Sequence, residues 1–132
     1  MSQENVEIVR TLYEAVNRGD WSSATHLVHP DFEWTTSDRV PNAGTYRGIE
    51  EVRRFFEDQR RPFEEVVSDP ERFFECDDQI VALVLLRSKP RGSDAVIESR
   101  IGHLWTMRDG KALSCKAFAK PEEALEAAGL SE

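Results

Sequence analysis

The feature that most constrains the fold of this chain is a long β-rich segment, 96–107, followed by Asp109-Gly110 and a second β-rich segment, 112–119. Asp-Gly between two such segments is the strongest short-range signal of a β-hairpin, because the tight turn needs residues that tolerate a positive φ. Both alternating sets of side chains in 96–107 contain apolar residues, and successive side chains point to opposite faces of a sheet. Both faces of the hairpin are therefore expected to be covered, at least in part, one of them by the chain's own helices.

Length and charge limit the classes of function. At 132 residues the chain is expected to form one domain over residues 1–132, with 39% apolar residues for a core. It carries 25 acidic and 17 basic residues, a net charge of −8, which argues against binding to a nucleic-acid backbone. The one basic cluster, Arg53-Arg54 with Arg60-Arg61, is interleaved with acidic residues and is interpreted as a solvated helix face.

The sequence shows no signal of export, membrane insertion or metal binding. The first residues lack a basic segment followed by an apolar one, and no apolar run is long enough to span a membrane, so we expect a cytoplasmic protein with no membrane partner. Cys76 and Cys115 are then expected to be reduced and buried as small apolar residues. His26, His29 and Asp31 are close in sequence but lack a further ligand, and we expect neither a metal nor a cofactor.

The spacing of apolar residues changes from helical to strand-like along the chain. Helical spacing predicts helices over residues 2–18, 21–28, 49–60 and 121–128. Strand spacing predicts strands over 32–36, 63–76, 79–86, 96–107 and 112–119, with a loop over 37–47 and a bulge at Asp69-Pro70. Three helices followed by antiparallel strands predict an α+β domain, a curved antiparallel sheet with helices on its concave face.

Four stretches of the chain resemble a known family: Tyr13-Glu14-Ala15-Val16-Asn17-Arg18-Gly19-Asp20, His29-Pro30-Asp31-Phe32-Glu33-Trp34, Tyr46-Arg47-Gly48 and His103-Leu104-Trp105-Thr106-Met107-Arg108-Asp109-Gly110-Lys111. They are similar to the SnoaL-like polyketide-cyclase family of the nuclear transport factor 2-like superfamily. The resemblance covers nearly the whole chain and implies a cone-shaped domain with an apolar cavity. The superfamily contains enzymes and pure binders, so the resemblance alone does not define an activity.

Ketosteroid isomerase, which shares this fold, uses a base together with an oxyanion hole of a tyrosine and a neutral aspartic acid. In the alignment that the resemblance implies, these positions fall at Thr36, Leu12 and Gly102, and Tyr13 is one residue away from the tyrosine's position. One residue on a helix is a rotation of about 100°, so Tyr13 does not substitute directly. Isomerase chemistry of that kind is therefore not expected.

The same alignment turns Gly102 toward the cavity, and with it Glu98, Arg100, Leu104 and Thr106. Glu98 would be the catalytic base if it is desolvated, and Arg100 beside it would orient a carbonyl or enolate oxygen. The alternative is a solvated ion pair on the mouth or the outer face. A shift of the strand by one residue would exchange the two faces, and the site would then be built around His103 and Trp105.

Aromatic residues are the expected ligand contacts. Trp34, Tyr46 and Phe55, together with Leu104, are predicted to line the cavity, with core packing as the alternative for the aromatic residues.

The other face of the sheet is predicted to form an interface. Ile101, His103, Trp105 and Phe118 would form an apolar patch that the helices cannot reach, which predicts a homodimer through the outer sheet face.

Three functions remain open from the sequence. The first is acid-base chemistry of cyclase or isomerase type on a small hydrophobic carbonyl compound. The second is non-catalytic binding of a hydrophobic metabolite, and the third is an accessory dimerisation domain with a filled cavity. All but the third have a small apolar molecule as the partner.

Overall fold

The structure, a computed structural model, describes residues 2–130. Its helices are α1 (Ser2–Arg18), α2 (Trp21–Leu27), α3 (Ile49–Arg60) and α4 (Pro121–Ala127). Its strands are β1 (Val28–Thr35), β2 (Thr45–Arg47), β3 (Phe63–Cys76), β4 (Gln79–Pro90), β5 (Ile97–Arg108) and β6 (Lys111–Phe118). The predicted α+β class, the four helices and the hairpin are confirmed. Within the described residues, no helix is both long and apolar enough to cross a membrane.

The central hairpin forms as predicted because its turn residues accept left-handed backbone angles. Asp109 and Gly110 both have positive φ, 54° and 74°. This is the conformation that matches the twist of two paired strands, and Asp and Gly adopt it at low cost. β5 consequently lies between β4 and β6 in the middle of the sheet.

The sheet differs from the prediction in one respect, because it is not wholly antiparallel. Its strand order is β2-β1-β6-β5-β4-β3, and β1 runs parallel to β6 while the other pairs are antiparallel. β1 also begins four residues earlier than predicted, at Val28, and includes Pro30. The pairing of β1 with β6 is irregular between Val28 and Glu33, so the missing N–H of Pro30 falls where the ladder is already interrupted. The predicted loop contains the short strand β2.

The inner face of the sheet packs against the first three helices. Buried residues of α1 and α3, among them Val9, Leu12 and Val52, form one core with the inner side chains of the sheet, among them Ile80 and Trp105. We call this side of the sheet the inner face.

The outer face of the sheet is covered at one end by α4. Ala124 and Leu125 of this helix form a second, smaller core with Val81 and Leu104. The helices were predicted to lie on the concave side only. For α4 this prediction is wrong, because α4 packs on the outer face. Its packing gives β5 a helical cover on each face.

Gly102 allows α4 to approach the sheet, and its predicted orientation toward the cavity is wrong. A Cβ atom on Gly102 would lie 2.6 Å from the Cβ of Ala124 and 3.2 Å from the Cα of Pro121. The Ala124 side chain and the Pro121 backbone of α4 therefore occupy the space that any side chain at residue 102 would need. Leu104 and Thr106 share this outer face of the strand because their positions have the same parity.

The predicted dimer surface is also wrong in its residues. Ile101, His103 and Trp105 point to the inner face, where His103 and Trp105 are buried within the chain. Phe118 packs partly against the smaller core beneath α4. The dimer itself remains a prediction, and its surface would have to be another part of the outer face.

We expect Gly102→Ala to destabilise the fold by about 1–3 kcal/mol, because the added methyl group overpacks the contact with α4. Denaturant unfolding monitored by circular dichroism measures this change. Ser99→Ala, at an exposed position of the same strand, is the matched control and should change stability by less than about 0.5 kcal/mol. Equal stability of Gly102→Ala and the unchanged protein would contradict the close approach of α4.

For the dimer, sedimentation equilibrium at micromolar concentration should give about twice the chain mass of 15.1 kDa. A single species of chain mass under these conditions would refute the predicted dimer.

Candidate functional site

A cavity of ≈ 280 Å³ lies between the inner face of the sheet and helices α1 and α3. This is close to the lower limit of the ~300–1,000 Å³ typical of ligand sites, so a small molecule would fill it. Most of the lining is apolar. It includes the aromatic residues Tyr13, Trp34, Phe55, Phe56, Phe63, Trp105 and Phe118.

The phase of β5 decides which side chains reach this cavity. Ile101, His103 and Trp105 line it, so the odd-numbered residues of the strand point inward. His103 pairs across the neighbouring strands with Ala82 on β4 and Ala117 on β6. Ala117 also lines the cavity, and its small side chain leaves space beside His103 on this side.

Glu98 and Arg100 do not lie in the cavity, and the predicted placement of this pair is wrong. Both are exposed, and neither belongs to the lining. The guanidinium of Arg100 donates to Glu71 on β3, with Nε 3.0 Å from Oε1, and this carboxylate raises the pKa of Arg100. The physical reason is the strand phase, because Glu98 and Arg100 are even-numbered residues of β5 and point to the outer face. They precede Gly102 and Leu104, the part of this face that α4 covers, and so remain exposed. The alternative interpretation, a solvated pair on the outer face, describes their position.

The predicted ligand contacts divide into two groups. Trp34 and Phe55 line the cavity. Tyr46 is not part of the lining, but its ring lies on that of Phe55 with centroids 4.5 Å apart, and its hydroxyl donates to the carbonyl of Asn42. Leu104 lies in the smaller core under α4, so its predicted place in the cavity is wrong for the same reason as that of Glu98.

A chain of hydrogen bonds connects three buried residues of the lining. The indole Nε1–H of Trp105 donates to the hydroxyl oxygen of Tyr13 at 3.0 Å. That hydroxyl lies 2.6 Å from Nδ1 of His103. The rings of Tyr13 and His103 are nearly parallel, and the edge of the Trp34 ring faces His103 with centroids 5.0 Å apart. The imidazole is therefore held in position by contacts on several sides.

The partners of the Tyr13 hydroxyl favour one tautomer of His103. Indole N–H is only a donor, so the Tyr13 oxygen accepts from Trp105, and donation of the hydroxyl proton to Nδ1 gives that buried proton an acceptor. The opposite direction, from Nδ1–H to the Tyr13 oxygen, would leave the hydroxyl proton without an acceptor among residues 2–130. Nδ1 then acts as an acceptor and the imidazole proton is on Nε2. Burial lowers the pKa of His103 to about 3 and raises that of Tyr13 well above its usual value. Both groups are therefore neutral at neutral pH.

Nε2–H of His103 is the polar group that this arrangement leaves for a ligand. It forms no hydrogen bond with residues 2–130. His103 lines the cavity, and its Nε2 atom is not among the fully enclosed polar atoms of residues 2–130 that lack a partner. This N–H is therefore accessible from the cavity. A neutral imidazole N–H in an apolar cavity is suited to donate to a carbonyl oxygen.

The other polar side chains of the lining are mostly engaged in the fold. The Asn17 amide exchanges two hydrogen bonds with the backbone of Ser68, at 2.8 and 3.0 Å. The Thr36 hydroxyl donates to the carbonyl of Ser37 and accepts from the N–H of Gly44. Arg60 is the charged residue of the lining, and no carboxylate is among the lining residues. Across residues 2–130, no three potential metal ligands of the His, Cys, Asp and Glu types come together.

Sequence reasoning assigned His103 and Trp105 to the wrong surface and did not find the role of Tyr13. A signal for the role of Tyr13 was present in the sequence, because Tyr13 lies one residue from Leu12, the position at which the alignment with ketosteroid isomerase places a tyrosine. A shift of one residue in both the helix and the strand would have brought Tyr13, His103 and Trp105 to the same side.

Comparisons with known proteins agree with this fold. The family model of the SnoaL-like domain matches residues 9–114. An NTF2-like protein of unknown function from Burkholderia pseudomallei is 25% identical, with 93% of this chain and 95% of that chain covered and a TM-score of 0.78. TerC, co-crystallised with polyporic acid, is 22% identical over 96% of this chain and 98% of its own, with a TM-score of 0.80.

A proposed SnoaL-like polyketide cyclase from Jannaschia sp. CCS1 is 19% identical, with 89% and 85% of the two chains covered and a TM-score of 0.73. Comparison with curated proteins finds no match. The resemblance inferred from the sequence is confirmed, since the family model spans most of the chain and the same fold recurs in these structures. The chain belongs to the family of SnoaL-like domains and has the NTF2-like fold.

Proposed function

We propose that this protein binds a small, largely apolar carbonyl compound in the cavity, with the carbonyl oxygen accepting a hydrogen bond from Nε2–H of His103. The observation that carries the proposal is the Trp105–Tyr13–His103 chain of hydrogen bonds, which leaves one oriented donor in an aromatic cavity. A cavity of this kind, mostly apolar with few directed polar groups, is the usual form of a small-molecule site.

The apolar part of the ligand is recognised by the aromatic lining. Trp34 and Phe56 meet edge to face with centroids 4.9 Å apart, and Trp34 also contacts His103 in this way. Rings held by such contacts present fixed flat surfaces and edges to a bound planar molecule. TerC, which has the same fold, was co-crystallised with an organic molecule, polyporic acid, and this is consistent with a ligand in this kind of domain.

Binding is favoured over acid-base catalysis by the chemistry of the lining. An imidazole with a pKa of about 3 is a weak base at neutral pH. The carboxylate that was expected to be the base, Glu98, lies on the outer face, and the lining contains no other. The filled cavity required by an accessory domain is not favoured either, since space remains beside His103.

A second candidate function is enolate stabilisation in a cyclase-type reaction, which the same donor favours. A preorganised neutral N–H in a site that excludes water stabilises negative charge developing on a carbonyl oxygen. This reaction needs a base in addition, which the ligand itself or water would have to supply. Exchange of the methyl protons of acetylnaphthalene in deuterium oxide, followed by NMR, tests it. Acceleration by the protein that is lost in His103→Phe would support catalysis.

The binding proposal is tested with two ligands of equal shape, acetylnaphthalene and ethylnaphthalene, by calorimetric titration. We expect the ratio of their affinities to change by about 5- to 10-fold in favour of the ethyl compound on His103→Phe, since the hydrogen bond is worth about 1 kcal/mol. Hydration differences between the ligands cancel, because both ligands are measured against both proteins.

Two variants control this experiment. Glu98→Gln, on the outer face, should leave both affinities unchanged. Ala117→Phe fills the space beside His103 and should weaken binding of both ligands. An unchanged ratio in His103→Phe would refute the role of the imidazole, and failure of both ligands to bind the unchanged protein would refute the proposal.

The low pKa of His103 predicts a dependence of stability on pH. The folded protein keeps this imidazole neutral down to about pH 3, whereas the unfolded chain takes up a proton near pH 6.5. The unfolded state thus binds more protons between these values, and the free energy of unfolding falls as the pH is lowered. Between about pH 7.5 and about pH 5 the loss should be about 2 kcal/mol.

Urea unfolding across this pH range measures the effect. His103→Phe should lose most of the dependence, while His26→Gln, at an exposed histidine, should retain it. An equal pH dependence in His103→Phe and the unchanged protein would contradict a buried neutral imidazole.

A further inference from the structure

We propose that the ligand of the cavity carries a carboxylate that pairs with the guanidinium of Arg60. This inference rests on the proposed binding function and narrows the ligand to small apolar carbonyl compounds with an acidic group.

The first observation is that Arg60 lacks a counter-ion in the part of the chain that the structure describes. Two of its acidic neighbours in sequence are engaged elsewhere, since Glu57 lies 3.7 Å from Arg53 and Glu64 lies 3.6 Å from Lys89. Arg60 itself forms no ion pair with residues 2–130. Arg61, the next residue, pairs with Asp58 at 3.2 Å.

The second observation is the position of Arg60 in the lining of the cavity. It is half-buried in the last turn of α3, next to Gln59, which also lines the cavity. Burial lowers the pKa of Arg60, whereas that of Arg53, which has acidic partners, is raised. A charge that loses water without gaining a partner costs free energy, and an anionic ligand would offset this cost.

The third observation is the sign of the charge around the site. The chain has a net charge of −8, so its general field repels an anion. The lining, by contrast, contains one cation and no acidic residue. A guanidinium forms two parallel hydrogen bonds with a carboxylate, which gives both affinity and orientation.

A purely structural role for Arg60 is the competing explanation. A cation in the last turn of a helix interacts favourably with the helix dipole. This role predicts that removal of the charge changes stability alone. It gives no reason for a difference in affinity between a charged and an uncharged ligand.

The experiment compares para-acetylbenzoate with its methyl ester, which differ in charge but keep the same ketone. Calorimetric titration is carried out on the unchanged protein, Arg60→Gln and Arg54→Gln. Arg54 is exposed on the same helix and outside the lining, so its variant changes the net charge equally. Arg60→Lys keeps the charge without the planar fork. Thermal unfolding of each variant monitors stability.

The unchanged protein and Arg54→Gln should bind the acid at least about 10-fold more tightly than the ester, as expected for a charge-assisted hydrogen bond. Arg60→Gln should lose this preference, and Arg60→Lys should keep part of it. Equal affinities for acid and ester in the unchanged protein, or a preference unaffected by Arg60→Gln, would overturn the inference while the cavity remains a carbonyl site. If neither acetylnaphthalene nor ethylnaphthalene binds the unchanged protein, the proposed function fails and the inference with it.

Discussion

The hydrogen bond between the Tyr13 hydroxyl and Nδ1 of His103 is the interaction on which the cavity depends. It joins α1 to β5 across 90 positions of sequence, and the indole N–H of Trp105 donates to the same hydroxyl. All three side chains are buried, so a rotation of the helix or a shift of the strand by one residue would leave buried polar groups unpaired. The network therefore selects one strand phase, and that phase brings the imidazole to the cavity.

The opposite face of β5 is selected by a steric contact instead of a polar one. Gly102 admits α4 to a distance that no side chain at this position would allow, and Leu104 then packs under the helix. Two helices thus cover the middle of one strand from opposite sides. This explains why both alternating sets of side chains in β5 are apolar near its middle, while residues 97–100 near its beginning are exposed.

The elements of this fold could be predicted from the sequence, but the inward face of β5 could not. Asp109-Gly110 and the helical spacing of α1 and α3 are local signals, and the structure confirms them. The phase depends on partners far along the chain, since alternation alone does not favour one face when both carry apolar residues. Glu98 and Arg100 suggested a site because a carboxylate beside a guanidinium is chemically capable. They are exposed because α4 covers Leu104 but does not extend over residues 98 and 100, and local sequence patterns do not predict where α4 packs.

The basic cluster of α3 is a second case in which local sequence patterns do not predict which side chain reaches the cavity. Arg53 and Arg61 pair with acidic residues of the same helix, as expected for a solvated face, yet Arg60 lies in the cavity lining. A rotation of about 100° per residue separates these neighbours, and tertiary packing decides which of them is enclosed. The result is a division of tasks within the cavity. His103 stays neutral down to about pH 3 and can orient a carbonyl group without selecting for charge, so any preference for an anion must come from the guanidinium.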